Sequence, residues 1–273
     1  MSYNLYDFNN AVQQRNEYVE DRLKDGSPVV AISFDEGILL LTLRTTQRKV
    51  FEVYDRLMMG ALGKQSDIET LRLAAIDSAH KEGFERSPDD VSVQRLVGFG
   101  LSPAIRRVYN DQYAIPLTVR AVFAEMHRSS GEDHLFVLNY DGEFRSASGV
   151  AVAAGTPYAE EQAETSIRDT APGSLREALK MALSAWGVGR SQLSPKSASR
   201  DEDDYERDRD PLRDRTDEDS GPAVSDDPAV AVREALKNGA VIEAGLLQRN
   251  TIRESKFRLL SDQDLEGVLA EYR

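Results

Sequence analysis

The segment of residues 26–43, GSPVVAISFDEGILLLTL, constrains the fold more than any other part of the chain. It contains two apolar runs, at 29–34 and 38–43, that are joined by a short turn ending in Gly37. Two such runs around a glycine-containing turn predict a β-hairpin. Because the runs are almost continuously apolar and do not alternate with polar residues, we expect both faces of the hairpin to be covered by other elements.

The composition excludes several classes of function. The chain of 273 residues has a net charge of -13 and no cysteine. This balance predicts no basic surface for nucleic acid, and the lack of cysteine excludes disulfides, thiolate metal ligands and a cysteine nucleophile. The three histidines, His80, His127 and His134, do not have the spacing of a zinc site, so we expect no metal and no cofactor.

The sequence also indicates a compartment. The N-terminal residues lack the pattern of a signal peptide, and no apolar window is long enough to cross a bilayer. We therefore expect a cytoplasmic protein that makes no contact with a membrane.

The remaining periodic segments form blocks of helices and strands. A helix at 7–24 precedes the hairpin, and strands at 48–54 and 56–62 follow it. The order then continues with helices 66–80 and 87–110, strands 117–126, 133–140, 144–147 and 149–154, helices 156–168, 174–186 and 228–237, strands 241–248 and 254–259, and helix 262–271. Two strand-rich blocks separated by a helix pair predict an α+β fold, a four-layer αββα sandwich with two antiparallel sheets between helix layers.

Local signals predict where some of these helices begin, break and end. Ser66 opens the capping-box pattern SDIE, which predicts a helix with Ser66 as its N-cap and Gly83 as its stop. The glycines and the proline within 98–103 predict a kink or break near Ser102 in the next helix. Gly187 is expected to end the helix that precedes it.

Residues 190–227 differ in composition from the rest of the chain. They contain 13 acidic and 7 basic residues, and between 201 and 219 the only larger apolar residues are Tyr205 and Leu212. Such a segment cannot bury enough apolar surface to offset the entropy lost on ordering, so we predict a disordered acidic insertion. A solvated spacer is the favoured interpretation, and an acidic tether for a basic partner is the alternative.

Several motifs occur in an order that is typical of one family. They are QRNE at 14–17, PVVA at 28–31, GILL at 37–40, KVFEVYDR at 49–56, ALGK at 61–64, DDV at 89–91 and the strand at 119–126. With these motifs, residues 8–187 and 240–258 resemble the α subunit of the bacterial, actinobacterial-like proteasome, in the Ntn-hydrolase superfamily. The resemblance implies a gate-like segment at 1–7, a domain at 8–189 that resumes at 228–260 after the insertion, and a C-terminal helix at 261–273.

The resemblance also implies that the chain is not an enzyme by itself. Catalytic members of the superfamily use an N-terminal Thr at the start of the first strand, and its free α-amine acts as the general base. Here the matching position is Pro28, which has no hydroxyl, and the position of the acid at the end of the second strand falls near Arg44. A helix also precedes the strand.

An α subunit would have a structural role in protein degradation. The resemblance implies a homo-heptameric outer ring that stacks on catalytic β subunits and controls the entry of unfolded protein substrates. It further implies that the leading helix contacts neighbouring subunits. The gate would be formed by the N-terminal residues Ser2, Tyr3, Asn4, Leu5 and Tyr6, unless these are only a frayed terminus.

The resemblance places an activator-binding pocket at Lys49. The matching lysine of the family pairs with the C-terminal carboxylate of a ring-shaped AAA ATPase activator, through a charge-assisted hydrogen bond. Gly63, Lys64 and Arg15 are weaker candidates for the same pocket. The alternative for Lys49 is an exposed strand lysine that has no partner.

A function of a different class stays open. Gly26-Ser27 could be an autolysis junction that leaves Ser27 as an N-terminal nucleophile, with Lys49 or Arg48 nearby. The chain would then be a self-processing Ntn hydrolase, a proteasome-like peptidase. In the other interpretation Gly26-Ser27 is only the turn between helix and strand, and Pro28 sets its direction.

Overall fold

A computed structural model describes residues 5–127, 132–191 and 227–272, with side chains described from Asn10 onward. Two five-stranded antiparallel sheets lie between helices, so the predicted α+β sandwich is confirmed. The strands are β1 (Val29–Phe34), β2 (Gly37–Arg44), β3 (Val50–Tyr54), β4 (Leu57–Gly63), β5 (Val119–Glu125), β6 (His134–Leu138), β7 (Phe144–Ala147), β8 (Val150–Ala153), β9 (Val241–Gln248) and β10 (Phe257–Leu259). The α-helices are α1 (Leu5–Leu23), α2 (Gln65–Glu85), α3 (Val93–Arg95), α4 (Ser102–Asn110), α5 (Pro157–Ile167), α6 (Leu175–Ser191), α7 (Pro228–Lys237) and α8 (Asp262–Leu269).

The predicted hairpin lies inside the first of the two sheets. This sheet, sheet A, has the order β10-β9-β2-β1-β8, and sheet B has the order β3-β4-β5-β6-β7. Alternate residues of β1 face opposite sides, with Val30 and Ile32 against the helices and Val29 and Ala31 against sheet B. Both faces of the hairpin are therefore covered, which explains its continuous apolarity.

Three apolar clusters fill the spaces between the layers. Helices α5 to α8 cover sheet A, and α2 to α4 cover sheet B. The third cluster lies between the sheets and includes Val19 and Leu23 of α1. Helix α1 therefore joins the core through its C-terminal half, close to the point where the chain enters β1.

The predicted ends of α2 are wrong. Lys64 is its N-cap and makes no side-chain capping bond, whereas the Ser66 hydroxyl donates to the Asp67 carboxylate instead of capping the helix. At the other end, α2 continues through Gly83 to Glu85. A β-carbon at Gly83 would lie 2.4 Å from the Tyr54 hydroxyl oxygen, so this glycine provides close packing and does not stop the helix.

The predicted end of α6 is wrong for the same reason. The helix passes through Gly187 and ends at Ser191. A β-carbon at Gly187 would lie only 2.3 Å from the carbonyl oxygen of Pro228, the first residue of α7. The glycine therefore allows two helix backbones to approach each other.

Near Ser102, where a kink or break is predicted, the type of helix changes but the chain stays helical. A short 3₁₀-helix (Pro88–Asp90) and α3 are followed by a π-helical segment, Leu96–Leu101, before α4 begins at Ser102. The glycines and Phe99 of the sequence GFG lie within the π-helical segment. The wider backbone turn separates the two helical parts without a loop.

Some predictions fall outside the described part of the chain. Ser2, Tyr3 and Asn4 of the predicted gate lie outside it, and Leu5 and Tyr6 are described only as backbone of α1. Residues 192–226 of the predicted acidic insertion also lie outside it. On either side, Ser191 ends α6, and the Asp227 side chain caps α7 by accepting a bond from the Ala229 amide at 2.8 Å.

Candidate functional site

The chain crosses from α1 into β1 through Gly26, Ser27 and Pro28. Ser27 is 2% exposed, and its Oγ donates a hydrogen bond to the Leu43 carbonyl oxygen at 2.6 Å. The Ser27 Oγ also accepts a hydrogen bond from Nε1 of the buried Trp186 at 2.9 Å. The Ser27 hydroxyl is therefore bound to β2 and α6 and is closed off from solvent.

Gly26 is enclosed where the chain turns into the sheet. Its amide donates to the Leu23 carbonyl at 2.8 Å, and a β-carbon built on it would lie 2.6 Å from Leu62 Cδ1. The geometry is that of a packed turn and disfavours Ser27 as a nucleophile.

Pro28 and Arg44, which match the nucleophile and acid positions of catalytic members, both make contacts that hold the sheet together. Pro28 precedes the first paired residue of β1, and its carbonyl oxygen accepts a bond from Thr42 Oγ1 at 2.7 Å. Arg44 ends β2, and its Nε lies 3.4 Å from Oε2 of Glu243 on β9. Near the position where catalytic members have an acid, this chain therefore has Arg44, whose guanidinium is paired with the Glu243 carboxylate.

Glu243 on β9 links Lys49 and Arg44 at this end of the sandwich, although no sequence motif singles it out. It is 6% exposed, and its Oε2 accepts the backbone amide of Lys49 at 2.9 Å. Burial raises the pKa of Glu243, while the amide of Lys49, the charge of Arg44 and the amide of Val50 oppose that rise. The only signal was a single acid in the otherwise apolar strand segment VIEAGLLQ.

Lys49, the main pocket candidate, lies just before β3. Its carbonyl oxygen accepts a bond from the Ala61 amide at 3.0 Å, which joins it to β4. The residue is only 2% exposed in the single chain. The interpretation of Lys49 as an exposed strand lysine is therefore wrong.

Gly63 and Lys64 lie where β4 passes into α2. Gly63 has a φ of 125°, and a β-carbon there would lie 2.1 Å from the Thr118 carbonyl oxygen. The amide of Lys64 donates to that same carbonyl at 2.9 Å, while its side chain is exposed. Only glycine allows this backbone contact, which leaves the Lys64 ammonium at the surface beside the loop that ends at Thr118.

Arg15 of α1 contacts the other end of that loop. Its guanidinium donates to the carbonyl oxygens of Tyr109, Asp111 and Ala114 at 2.8, 2.5 and 3.1 Å. The Tyr109 hydroxyl in turn donates to Asn16 at 2.6 Å. Arg15 therefore satisfies carbonyl groups at the C-terminus of α4 and fixes α1 against loop 111–118.

Three of the four predicted pocket residues thus surround one loop. Arg15 holds the start of loop 111–118, and Gly63 and Lys64 hold its end. Lys49 lies beside them on the neighbouring strand connection, behind Ala61. Of the four, the Lys64 side chain is exposed, Lys49 is buried, and the Arg15 guanidinium is engaged by backbone oxygens.

The described residues contain neither a cluster of metal ligands nor a membrane-spanning helix. Within residues 5–127, 132–191 and 227–272, no group of histidine and acidic side chains could hold a metal ion. Over the same part of the chain, no helix has the length and apolarity required to span a membrane.

Comparison with known proteins gives a consistent result. Residues 23–194 match the family model described as proteasome subunit. The proteasome subunit alpha of Frankia casuarinae is 30% identical over 195 residues, which cover 69% of this chain and 78% of the relative. The proteasome subunits alpha of Streptosporangium roseum and a Parafrankia strain are each 29% identical, over 68% and 65% of this chain and 71% and 73% of the relatives. The chain therefore belongs to the proteasome subunit family and is an alpha-type, non-catalytic member of it.

Proposed function

We propose that copies of this chain form the outer, heptameric ring of a cytoplasmic proteasome-like protease. The ring stacks on catalytic β subunits and controls the entry of unfolded protein substrates. Membership of the family supports assembly with β-type subunits. The structural observation that supports a non-catalytic role is the junction at Ser27, where the hydroxyl is buried and hydrogen-bonded to Leu43 and Trp186.

The mass of the purified chain tests this proposal against the self-processing alternative. We expect a species near the full mass of 30.4 kDa, without a fragment that begins at Ser27. Peptidase activity should be absent from the chain alone and present after assembly with the β subunit that co-purifies from the native cell. A product beginning at Ser27, or peptide hydrolysis by the chain alone, would mean that it is a hydrolase.

The same ring would dock an ATPase activator at loop 111–118. In this proposal the exposed ammonium of Lys64 meets the activator's C-terminal carboxylate first, and Lys49 lies behind it in the pocket. Gly63 permits the close backbone packing that shapes the pocket. Arg15 positions the loop and does not itself bind the carboxylate, because three backbone oxygens already occupy its guanidinium.

Alanine variants of the two lysines test the pocket. Lys64→Ala and Lys49→Ala should each abolish most of the activator's stimulation of peptide hydrolysis, while native mass spectrometry still shows the ring. Lys81→Ala is the matched control, since Lys81 is 72% exposed on α2 and lies outside the proposed pocket. Lys64→Ala decides the outcome if Lys49→Ala fails to fold, and full stimulation of Lys64→Ala would contradict the pocket.

The proposed gate has its own test. Removal of residues 2–6 should raise peptide hydrolysis by the assembled protease in the absence of an activator. Hydrolysis that does not change after this removal would show that other residues close the ring.

A further inference from the structure

A groove on the helix layer over sheet A is not used by the proposed function. It has a volume of about 320 Å³ and lies between α7, α8 and the start of β9. Its floor is apolar and is formed by Leu236, Ala240, Ile242, Leu265 and Leu269. Val241 at its edge is 46% exposed, so the apolar surface continues from the floor to the solvent.

The walls of the groove are held in place by the fold. Leu265 and Val268 of α8 are buried against the core. At the end of α8, the Glu271 carboxylate lies 2.6 Å from Lys180 Nζ and 3.2 Å from Arg176 Nη2 on α6. The buried residues hold α8 on the core, and these exposed ion pairs add a contact to α6, so the groove is present in the single chain.

The rim on the α7 side is basic. Arg233 and Lys237 are both exposed, and they stand four residues apart on the same face of α7. Burial and the charge of the nearby Glu271 raise the pKa of the Tyr272 hydroxyl, and the charge of Arg233 opposes that rise. Asp262 is the acidic residue on the opposite rim. Two cations beside an apolar floor form a local positive site on a chain whose net charge is -13.

We propose that this groove binds an acidic peptide segment of a partner protein that carries a large apolar side chain. The apolar side chain enters between α7 and α8, and the neighbouring carboxylates pair with Arg233 and Lys237. The volume suits one or two side chains. Because the chain as a whole is acidic, attraction of the segment depends on these local cations. The apolar floor favours a segment with an apolar side chain over a purely polar polyanion.

A labelled peptide tests the proposal on the full chain. The probe is a fluorescein-labelled heptapeptide with Leu-Trp at its centre, Asp and Glu on both sides and an amidated C-terminus. The amide removes the terminal carboxylate, so the probe cannot use a pocket for C-terminal carboxylates. We expect saturable binding by fluorescence anisotropy, at least about tenfold weaker for the Arg233→Glu/Lys237→Glu variant and unchanged for the control Lys81→Glu.

Two further peptides separate the contributions of charge and apolar contact. A version with Lys in place of the acids, and a version with Ser in place of Leu and Trp, should both bind at least about tenfold more weakly than the probe. Equal binding of either version, or full binding by the Arg233→Glu/Lys237→Glu variant, would overturn the proposal. Self-association that depends on Arg233 and Lys237, seen by light scattering, would also overturn it and assign the groove to a second copy.

Discussion

Serine can act as a nucleophile, but the Ser27 hydroxyl is buried and hydrogen-bonded within the core. It joins the carbonyl oxygen of Leu43 on β2 to the indole of Trp186 on α6. Replacement of Ser27 by Ala would leave the buried Trp186 Nε1 without its acceptor. An unsatisfied buried donor costs roughly 1–3 kcal/mol, so we expect Ser27→Ala to lower the free energy of unfolding by that amount, measured by urea denaturation.

A double-mutant cycle identifies the contact responsible. In a Trp186→Phe background the indole donor is absent, so Ser27→Ala should cost clearly less than it does in the original chain. An equal cost in both backgrounds would show that the Ser27–Trp186 bond does not contribute. Either result is independent of protease assembly, because it is read on the single chain.

At single residues, the sequence predicted that Pro28 and Arg44 are not catalytic, but it did not predict which groups they contact. Pro28 and Arg44 were recognisable as poor substitutes for a nucleophile and an acid. The carboxylate that binds the Lys49 amide comes from Glu243, which is 194 residues away in the chain. No local pattern could pair them, since only the meeting of β3 and β9 brings these residues together.

The scale of helices and strands shows how tertiary contacts override local signals. Gly187 should favour a helix end, yet α6 continues through it to Ser191. The residue is glycine because a side chain there would overlap with the Pro228 carbonyl. Gly187→Ala would gain about 1 kcal/mol of helix propensity, but we expect a net loss of roughly 1–3 kcal/mol from overlap with the Pro228 carbonyl. Thermal unfolding followed by circular dichroism measures this change.

Gly267 of α8 provides the matched control. It is exposed, and the nearest atom to a β-carbon built there is Arg176 Cζ at an ordinary 3.9 Å. Gly267→Ala should therefore stabilise the protein by about 0.5–1 kcal/mol. A melting temperature that rises in both variants would contradict the role assigned to Gly187.

The start of α8 predicts a dependence on pH. Hydrogen bonds from the Arg258 side chain and the Ser261 amide hold the pKa of Asp264 at about 2, below its ordinary value of 3.8. Because the folded pKa is the lower one, this carboxylate stabilises the protein above the ordinary value and loses its contribution as the pH falls through about 2.

The variant Asp264→Asn lacks this titration. Its deficit in unfolding free energy should be full at about pH 6, shrink below about pH 4 and approach zero near pH 2, when urea denaturation is compared at each pH. Glu266→Gln, an exposed change on the same helix, should show a smaller and flatter difference. A deficit for Asp264→Asn that stays constant over this range would contradict the predicted titration.

Most elements could be predicted because their apolar periodicity is strong. The hairpin and the strand blocks follow from runs of apolar residues and turn glycines. The π-helical segment that ends before Ser102 lies where glycine and proline predict a kink or break. The capping box at Ser66 failed because the chain reaches α2 directly from the Gly63 turn, which makes Lys64 the N-cap. Helix ends depend on where other segments pack, which a local pattern does not contain.

For the whole molecule, net charge predicts how assembly responds to salt. Each chain carries -13, so copies in a ring repel one another through solvent. Raising the salt from about 50 mM to about 300 mM shortens the screening length, and we expect the fraction of chains in the ring to increase. Native mass spectrometry and light scattering measure it, with the melting temperature of the single chain followed in parallel.

The opposite response would have a clear meaning. Loss of the ring at higher salt would show that attractive ion pairs between neighbours outweigh the general repulsion. Because the test changes no residue, it separates the properties of the ring from those of the fold.

The architecture of the whole chain was predictable from the order of its elements. Two strand blocks separated by a helix pair allow few arrangements other than stacked sheets between helices, and the family motifs add to the same result. The groove between α7 and α8 was not predictable. Its two walls and α6, which contacts the end of α8 through Lys180, are separate in sequence and meet only in the folded chain.

The attachment of α1 has a consequence for assembly. Arg15 binds carbonyl oxygens that lead into sheet B, while Ser27 at the far end of the same segment is bound to β2 of sheet A. We therefore expect α1 to reach its final position only after the two sheets have packed together. Since α1 is proposed to contact neighbouring subunits, we expect a chain whose two sheets have not packed together to be left out of the ring.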